Sequence, residues 1–297
     1  MSKHKIYTSG WDDYELIDAG GGKKLERWGK VITIRPEVQA YFRSGFSFSE
    51  WRQKADFEFL QGKGQTGKWK KLTNAPDSWQ IGFNKLRFQL ELTKFKHVGL
   101  FPEQRVNWEL IIDSLDSDKN FLNLFAYTGA ASCAARYVGA ETYHVDSVKQ
   151  LITWAARNME LSKIMNIRWV HEDALKFAKR LVKREAKFDL IVMDPPAWGI
   201  GAKKEKWKLE DKLDELLAIA NQLLALNGML IMSTYSPTVN LNLIRELSEL
   251  YFPTAQIELG ELWMKTTTGK ELYFGNLLRV QNQQYYTSLK SYQQEHH

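Results

Sequence analysis

The sequence predicts an α/β protein in which a doubly wound, mostly parallel sheet follows a small β-rich domain. From about residue 98 onward, short apolar strands alternate with helical segments, which is typical of parallel sheets. The last two predicted strands have no helix between them, so we expect an antiparallel hairpin at the C-terminal edge. The first third instead carries β-favouring runs between glycine-rich breaks. We therefore expect residues 1–97 and residues 98–281 to form two domains, with residues 282–297 as a polar tail.

Residues 1–97 are expected to form strands that glycines separate into hairpins. The predicted strands lie at residues 14–18, 24–28 and 31–34, with a further strand or strand pair at residues 81–92. Residues 62–68 form a basic, glycine-rich loop. Because that loop lacks the spacing of a phosphate-binding loop, and we expect no strand close before it, a nucleoside triphosphate site is not predicted.

Residues 98–281 alternate between strands and helices in the manner of a Rossmann-like domain. The predicted strands lie at residues 121–125, 142–146, 167–170, 188–193 and 229–232, with a terminal pair at 255–264 and 271–280. The predicted helices lie at residues 129–138, 147–161, 174–184, 209–226 and 239–251. Ser147 and Gln150 have the spacing of a capping box at a helix start, and Asn227-Gly228 is a typical helix stop.

The composition excludes several classes of protein. The 297 residues are 44% hydrophobic and 26% charged, an ordinary balance for a soluble globular chain. The sequence contains no run of about 18 apolar residues, so a transmembrane helix is not predicted. The first residues are polar and do not resemble a secretory signal. The single cysteine, Cys133, excludes a disulfide framework, and the six histidines show no metal-ligand spacing. We therefore expect a cytoplasmic protein that uses neither a membrane nor a metal.

The net charge of +6 is concentrated near the N-terminus. Residues 1–97 hold 18 Lys and Arg against 11 Asp and Glu, whereas residues 98–297 hold 23 against 24. A basic segment beside a neutral one favours a polyanionic partner such as nucleic acid. An ordinary solvated surface accounts for the same distribution, so charge alone leaves both interpretations open.

Four features follow predicted strands, at the edge where open parallel sheets bind ligands. They are the turn around Gly129 and the aspartates Asp146, Asp173 and Asp194. Gly129 permits close approach of a ligand to the helix start, and Asp146 lies where a carboxylate accepts from both hydroxyls of a ribose. Singly, each feature is also explained as a turn or a helix cap. The first loop has one glycine rather than Gly-x-Gly-x-x-Gly, which argues against a nicotinamide or flavin cofactor.

Four segments together resemble class I S-adenosylmethionine-dependent methyltransferases. They read Asn123-Leu-Phe-Ala-Tyr-Thr-Gly-Ala-Ala-Ser132, His144-Val-Asp-Ser147, Glu172-Asp-Ala174 and Asp194-Pro-Pro-Ala-Trp198. More narrowly, they resemble the family that contains the bacterial large-subunit ribosomal RNA methyltransferases, in a branch without a PUA domain. The resemblance covers residues 98–281, and residues 14–40 are similar to the small N-terminal β region of one branch.

The resemblance implies a site for S-adenosylmethionine, with S-adenosylhomocysteine as the product. Gly129 and its neighbours would face the methionine part, Asp146 the ribose, and Asp173 with Ala174 the adenine. The segment Phe101-Pro-Glu-Gln-Arg105 resembles the family segment that touches the donor, and its arginine would pair with the donor's carboxylate. The candidate donor-binding residues are Glu103, Gln104, Arg105, Ala126, Tyr127, Thr128, Gly129, Asp146, Ser147, Asp173 and Ala174.

The segment after the fourth strand of the domain carries the candidate catalytic residues, which are Asp194, Pro195, Pro196 and Trp198. The two prolines fix the backbone, hold the carboxylate at the strand end and are expected to turn the carbonyls toward the cleft. There they would accept hydrogen bonds from a planar nitrogen substrate on which Trp198 stacks. The alternative is that Trp198 packs against the sheet and the prolines only end a strand. The candidate substrate contacts are Lys203, Lys204 and Tyr235, although the lysine loop is equally explained as a solvated one.

The acceptor is predicted to be a nitrogen atom, with an oxygen atom as the second choice. Methylation of carbon 5 of cytosine requires a thiolate that adds to the ring. Family members with that activity carry a cysteine after the fifth strand, where this chain reads Ser233-Thr-Tyr-Ser-Pro237. We therefore predict methyl transfer to a base nitrogen of ribosomal RNA. Two alternatives stay open: a small-molecule or protein acceptor, and a non-catalytic module that binds the donor or RNA.

Overall fold

The computed structural model describes residues 4–200 and 206–282, and within these ranges the strands form four sheets. The first eight strands are β1 (Lys5–Tyr7), β2 (Tyr14–Gly20), β3 (Lys23–Trp28), β4 (Val31–Pro36), β5 (Phe57–Gln61), β6 (Gly67–Lys71), β7 (Ser78–Phe83) and β8 (Leu86–Glu91). The later strands are β9 (Asn120–Leu124), β10 (Glu141–Asp146), β11 (Ile167–His171), β12 (Phe188–Met193), β13 (Trp198–Ile200), β14 (Lys206–Lys208), β15 (Leu224–Thr234), β16 (Gln256–Lys265) and β17 (Glu271–Gln281). The α-helices are α1 (Phe48–Lys54), α2 (Arg105–Ser114), α3 (Ala130–Tyr137), α4 (Lys149–Leu161), α5 (Ala174–Lys183), α6 (Leu213–Leu223) and α7 (Leu241–Tyr251).

The large sheet has eight strands in the order β1-β16-β17-β15-β12-β9-β10-β11. Neighbours from β15 through β11 are parallel, whereas β17 runs antiparallel to both β15 and β16. The central strands β9 and β12 are buried along most of their length, as expected for parallel strands that helices cover on both faces. The predicted mostly parallel sheet with an antiparallel C-terminal hairpin is thus confirmed.

Helices cover both faces of the large sheet, so the sheet is doubly wound. The consecutive residues Phe121 and Leu122 of β9 enter different cores, because side chains alternate across a strand. The core that contains Phe121 includes Trp108 of α2 and Cys133 of α3. The core that contains Leu122 includes Leu216 of α6. The parallel strands between these layers all point their carboxyl ends toward one edge, where the predicted site residues lie.

The N-terminal third folds mainly into small sheets. One sheet has five strands in the order β2-β3-β4-β5-β6, and a second consists of the antiparallel pair β7 and β8. Strand β1 instead joins the large sheet, parallel to β16, so the first 97 residues also contribute to that sheet. Helix α1 was missed by sequence reasoning, although Ser47 and Glu50 form a capping box at its start.

Two helix boundaries differ from the prediction. Helix α4 begins at Lys149 without a side-chain cap, so the predicted capping box of Ser147 and Gln150 is wrong. The predicted helix stop Asn227-Gly228 lies inside β15, and the helix predicted over residues 209–226 is shorter and ends at Leu223. It ends there because β15 begins at the next residue, which already pairs with β12 in the sheet.

The basic loop in residues 62–66 joins β5 to β6. A strand therefore does precede it closely, contrary to the prediction. The loop nevertheless connects two antiparallel strands rather than a strand and a helix, so it lacks the structural context of a phosphate-binding loop.

No helix in the described ranges has the length and apolarity needed to cross a membrane. The predicted polar tail lies almost entirely outside these ranges, which end at residue 282.

One carboxylate fastens the small sheets to the large one. Asp18 on β2 accepts hydrogen bonds from the backbone N–H of Gly45 (3.0 Å) and Phe46 (2.7 Å), the indole of Trp51 (2.9 Å) and the hydroxyl of Thr268 (2.6 Å). Thr268 lies in the turn between β16 and β17, 250 residues further along the chain. Although burial opposes it, this set of donors holds the pKa of Asp18 below its usual range. The carboxylate is therefore a fully bonded link between the two parts of the molecule.

Candidate active site

A cleft of about 560 Å³ opens at the carboxyl ends of β9, β10, β12 and β15. Twelve predicted site residues line it, namely Glu103, Gln104, Tyr127, Asp146, Ser147, Asp173, Ala174, Asp194, Pro195, Pro196, Trp198 and Tyr235. A small adjoining cavity of about 50 Å³ is lined in addition by Ala126, Thr128 and Gly129. The structure thus brings together every predicted site residue except Arg105, Lys203 and Lys204.

The turn after β9 contains several residues in the left-handed conformation. Phe125, Tyr127 and Gly129 have φ angles of 59°, 52° and 84°. A Cβ at Gly129 would lie 2.9 Å from the Cβ of Ala155, so the position requires glycine for space as well as for conformation. Backbone strain of this kind is concentrated at ligand sites. The turn therefore forms a tight cradle beside the cleft.

Asp146 ends β10 and points its carboxylate into the turn. One oxygen accepts from the backbone N–H of Tyr127 (2.9 Å), and the other accepts from the N–H of Val148 (2.9 Å). Burial raises the pKa of Asp146, and these N–H donors partly oppose that rise. Each carboxylate oxygen keeps further lone pairs, so the side chain can still accept hydrogen bonds from ribose hydroxyls.

Asp173 serves as a helix cap and also lines the cleft. Its carboxylate accepts from the backbone N–H of Lys176 (2.8 Å) at the start of α5. This contact is the helix cap that the sequence offered as the alternative to an adenine contact. Ala174 follows it in the lining, and the apolar side chains of Val148 and Leu151 lie in the same cleft. This end of the cleft combines apolar walls with one carboxylate, a combination suited to an adenine ring.

Gln104 lies where the cleft meets the small cavity. Its Oε1 accepts from the side-chain amide of Asn107 (2.8 Å) and from the hydroxyl of Ser233 (3.2 Å). Arg279 in turn donates to the side-chain oxygen of Asn107 (2.9 Å). Because Oε1 is held by two donors, the amide NH₂ of Gln104 is the end that can donate to a ligand.

The two neighbours of Gln104 have different surroundings. Burial raises the pKa of Glu103 to about 7, although the charge of Lys24 opposes this rise. Arg105 donates to the backbone carbonyl of Ser9 and pairs with Glu109 (2.5 Å). The structure does not bring Arg105 to the cleft, so its predicted pairing with the donor's carboxylate is not retained.

The segment after β12 is held by β14 and the turn that follows. The carbonyl of Pro196 accepts from the indole of Trp207 (2.6 Å), and the carbonyl of Ala197 accepts from the N–H of Leu209 (3.0 Å). These two carbonyls each accept a hydrogen bond from the protein, whereas they were expected to accept from a substrate. Desolvation by the surrounding protein raises the pKa of Asp194 to about 7. Trp198 does not pack against the sheet, since 53% of its surface is exposed at the cleft.

The end of β15 contributes two polar groups to the cleft. The hydroxyl of Thr234 is buried and has no hydrogen-bond partner within the described residues. Tyr235, the next residue, is half-exposed and donates to the carboxylate of Glu37 (3.0 Å). An unpaired buried hydroxyl in the lining of a cleft is a group that a ligand can satisfy.

Sequence reasoning missed the wall that the N-terminal third builds. Glu37, Gln65, Lys96 and His97 all line the cleft. Burial, together with the nearby charges of Arg35 and Lys96, lowers the pKa of His97 to about 3, so the ring is neutral. No local pattern marks these residues, because only the docking of the small sheets brings them to the strand ends of the large one.

Lys203 and Lys204 lie outside the described residues. The flanking lysines Lys206 and Lys208 are exposed on β14. Among the described residues, no group of three or more His, Cys, Asp or Glu side chains has the arrangement of a metal site.

These features fit S-adenosylmethionine. The cleft has the volume of a small-molecule site. The cradle at Gly129 lies beside Asp146, and the amide of Gln104 reaches the small cavity on the other side of that turn. A doubly wound sheet with this cradle at its carboxyl edge defines a class I methyltransferase fold.

The family assignment follows from a direct comparison. A family model described as S-adenosylmethionine-dependent methyltransferase matches residues 64–255, more than half of the chain, and the chain belongs to that family. The predicted class of enzyme and its methyl donor are thereby confirmed.

Similar proteins agree with this assignment. A crystal structure of an S-adenosylmethionine-dependent methyltransferase from Agrobacterium tumefaciens has 34% identity and a TM-score of 0.88, with 94% of this chain and 93% of that chain covered. The structure of SMU.776 in complex with S-adenosylhomocysteine, at 19% identity and a TM-score of 0.71, shares the fold over 92% of this chain and 76% of that one.

Curated relatives are similar over part of their length. The ribosomal RNA large subunit methyltransferase K/L of Buchnera aphidicola from Acyrthosiphon pisum is 32% identical over 195 residues, 63% of this chain and 27% of the relative. The protein of the same name from Shewanella frigidimarina is 34% identical over 151 residues, 50% of this chain and 21% of the relative. The chain thus spans about a quarter of the length of these relatives.

Proposed function

We propose that this methyltransferase acts on a base nitrogen of ribosomal RNA. One observation carries the proposal: the carboxyl of Asp194 lies inside the cleft while the indole of Trp198, four residues on, is exposed in the same lining. A flat base can stack on that indole while its N–H donates to the carboxyl. The relatives named as ribosomal RNA methyltransferases support ribosomal RNA as the substrate.

A nitrogen acceptor fits the side chains around the cleft. The chain's single cysteine, Cys133, is buried in the core on α3, and burial raises the pKa of its thiol. It therefore supplies no thiolate to the cleft for addition to a pyrimidine ring. The groups that do face the acceptor side are the carboxyl of Asp194 and the hydroxyl of Thr234, which orient a nitrogen through hydrogen bonds.

The N-terminal third offers the basic surface that RNA requires. Gln65 lies in the loop between β5 and β6 and lines the cleft. Strand β6 continues from that loop with Lys68, Lys70 and Lys71, all of which are exposed. Lysines beside a base-binding cleft can contact phosphates of the strand that carries the base.

The side chains then act mainly by placement. When bound, S-adenosylmethionine supplies an electrophilic methyl group on a sulfonium. Asp146 and the Gly129 turn hold the donor, and Asp194 with Trp198 holds the acceptor base, so that the two reacting atoms are aligned. A base nitrogen that bears a hydrogen loses it on methylation, and the carboxyl of Asp194 is placed to accept that proton.

The direct test uses purified protein with methyl-labelled S-adenosylmethionine. Total RNA and ribosomal subunits from cells that lack the gene serve as acceptors, beside protein and metabolite extracts from the same cells. We expect label in ribosomal RNA, and digestion to nucleosides followed by mass spectrometry identifies the methylated nitrogen. Label in the protein or metabolite extract alone would overturn the proposal.

Two substitutions separate donor binding from acceptor binding. Asp146→Ala should weaken S-adenosylhomocysteine binding by roughly 30-fold, because it removes charge-assisted hydrogen bonds. Trp198→Ala should leave that affinity unchanged and raise the KM for RNA, since only a stacking surface is lost. Calorimetric titration and steady-state kinetics measure both quantities. Equal loss of donor affinity in the two variants would contradict these roles.

A further inference from the structure

A second groove lies beside the cleft. It has a volume of about 750 Å³, and five aromatic side chains line it: Tyr41, Phe42, Tyr235, Trp263 and Tyr273. On the basis of the proposed RNA methylation, we propose that this groove binds the nucleotides that flank the target base in a single-stranded segment of RNA.

The groove and the cleft share a wall. Tyr235 lines both, and its hydroxyl donates to Glu37 (3.0 Å), which lines the cleft. The next two residues of the chain, Val38 and Gln39, line the groove. A strand whose target base enters the cleft therefore continues past Tyr235 directly into the groove.

Three of the aromatic rings, those of Tyr235, Trp263 and Tyr273, are held at their polar ends. The rings of Tyr235 and Tyr273 are nearly parallel, with centroids 6.3 Å apart and an interplanar angle of 28°. The hydroxyl of Tyr273 donates to the side chain of Asn276 (3.0 Å), and the indole N–H of Trp263 donates to Glu261 (3.0 Å). The most exposed rings, Tyr41 (84% exposed) and Tyr235 (42% exposed), offer the largest surface for stacking, while Trp263 and Tyr273 are partly buried. Base stacking on such rings tolerates any sequence, since every base has a π face.

Two carboxylates line the groove: Glu261 is buried, and the more exposed Glu271 is paired with lysines. The carboxylate of Glu271 accepts from Lys5 (2.6 Å) and from the hydroxyl of Tyr7 (2.7 Å), and Lys265 lies 3.7 Å away. The Lys5 ammonium also lies 4.0 Å from the centre of the Trp263 ring. The acidic group is thus neutralised, and the two lysines lie where they can reach phosphates beside the stacked bases.

The test measures binding of fluorescein-labelled 12-nucleotide oligouridylate and oligoadenylate by fluorescence anisotropy, with saturating S-adenosylhomocysteine. Trp263→Ala and Tyr41→Ala should each weaken binding by about 10-fold. Tyr41 is 84% exposed, so its removal does not disturb the fold. Affinity for S-adenosylhomocysteine should stay unchanged in both variants.

Tyr251→Leu is the matched control. Tyr251 ends α7, roughly 15 Å along the helix from Leu241, which lines the groove. Its removal costs one hydrogen bond, to Asp214 (2.7 Å), and should leave oligonucleotide binding unchanged. Wild-type affinity in both Trp263→Ala and Tyr41→Ala would overturn the groove proposal.

Methylation assays separate this inference from the proposed function. If the wild-type protein methylates ribosomal RNA and the groove variants keep its KM, the groove proposal fails and RNA methylation stands. If the wild-type protein methylates no RNA, the proposed function fails, and the groove loses its basis with it. A raised KM for RNA with an unchanged KM for the donor supports both.

Discussion

The two walls of the cleft are held in different ways. On the donor wall, Asp146 bonds the backbone N–H groups of Tyr127 and Val148, which are 19 and 2 residues away. On the N-terminal wall, Glu37 accepts from Tyr235, which is 198 residues away. One wall is built within neighbouring strand-to-helix turns of a single sheet, whereas the other exists only where two parts of the molecule meet.

This difference implies that donor binding and RNA binding can be altered separately. The donor wall depends mainly on the large sheet and its first two helix starts, although Asn158 links the carbonyl of Thr128 (2.9 Å) to the N–H of Gln89 in β8 (2.8 Å). Donor binding should therefore survive a partly loosened N-terminal third. The N-terminal wall carries Gln65 and adjoins the basic strand β6 and the aromatic groove. Substitutions on that side should therefore weaken RNA binding more than donor binding.

The largest expected effect is on turnover. Asp194→Asn removes the carboxylate that accepts the proton of the acceptor nitrogen, and it should lower kcat by roughly 10²–10³-fold while S-adenosylhomocysteine still binds. Asp189→Asn is the control, because Asp189 lies near the opposite end of the same strand and accepts from the N–H of Asn120 (2.8 Å). Single-turnover methylation measures the rate. Equal rates in the two variants would remove Asp194 from the mechanism.

Removal of the Asp18 carboxylate, which links the small sheets to the large one, should have the next largest effect. Asp18→Ala leaves the indole of Trp51 and the hydroxyl of Thr268 without their acceptor, and should lower the free energy of unfolding by about 3 kcal/mol. Urea denaturation measures the loss. The exposed Asp12, in the turn before the same strand, gives the control Asp12→Ala, which should change stability by less than about 0.5 kcal/mol.

Asp18→Ala also tests the comparison of the walls. In folded protein, the KM for RNA should rise while the affinity for S-adenosylhomocysteine stays near the wild-type value. A parallel loss of both would show that the donor wall depends on the docked N-terminal third as well.

The pH dependence of stability provides a smaller effect. The pKa of Asp194 is raised from 3.8 to about 7 by burial, so the folded state holds its proton more tightly than the unfolded state. The stability that this proton contributes is complete below about pH 3.8 and is lost as the pH rises toward 7. Asp194→Asn does not titrate. Because the side chain of Asp194 is only partly buried at the cleft, water reduces the full cost of its charge, and the variant should be more stable than the wild type by about 2 kcal/mol at pH 8. Urea titrations at pH 4 and pH 8 test this, and an equal difference at both would contradict it.

The donor wall could be predicted because it follows rules of local order. Strand ends of a parallel sheet meet at one edge, so the order of Gly129, Asp146, Asp173 and Asp194 along the chain was enough to group them. The helix starts were less predictable. Ser147 and Gln150 match a capping pattern, yet Asp146 bonds the N–H of Val148 and the helix begins later.

The other wall could not be predicted, because its contacts are distant in sequence. Neither Glu37 nor His97 belongs to any motif, and their place in the cleft depends on how the small sheets dock. Arg105 illustrates the same limit within a motif. Its motif position suggested a donor contact, but its guanidinium bonds Ser9 and Glu109, a choice that depends on tertiary packing around the start of α2.

The smallest expected effect distinguishes steric crowding from backbone strain as the reason for glycine at position 129. Gly129→Ala places a Cβ at positive φ and 2.9 Å from Ala155, whereas Gly269→Ala meets positive φ (80°) with no atom within 4 Å. Both should lose about 1 kcal/mol to backbone strain, and Gly129→Ala about 1 kcal/mol more to the steric clash. Urea denaturation compares them. Because Ala155 lies inside α4, Ala155→Gly is itself destabilising, so the clash is measured by a double-mutant cycle: Gly129→Ala should cost about 1 kcal/mol less in the Ala155→Gly background than in the wild type. If Gly129→Ala costs the same in both backgrounds, crowding against Ala155 is not what requires glycine at position 129.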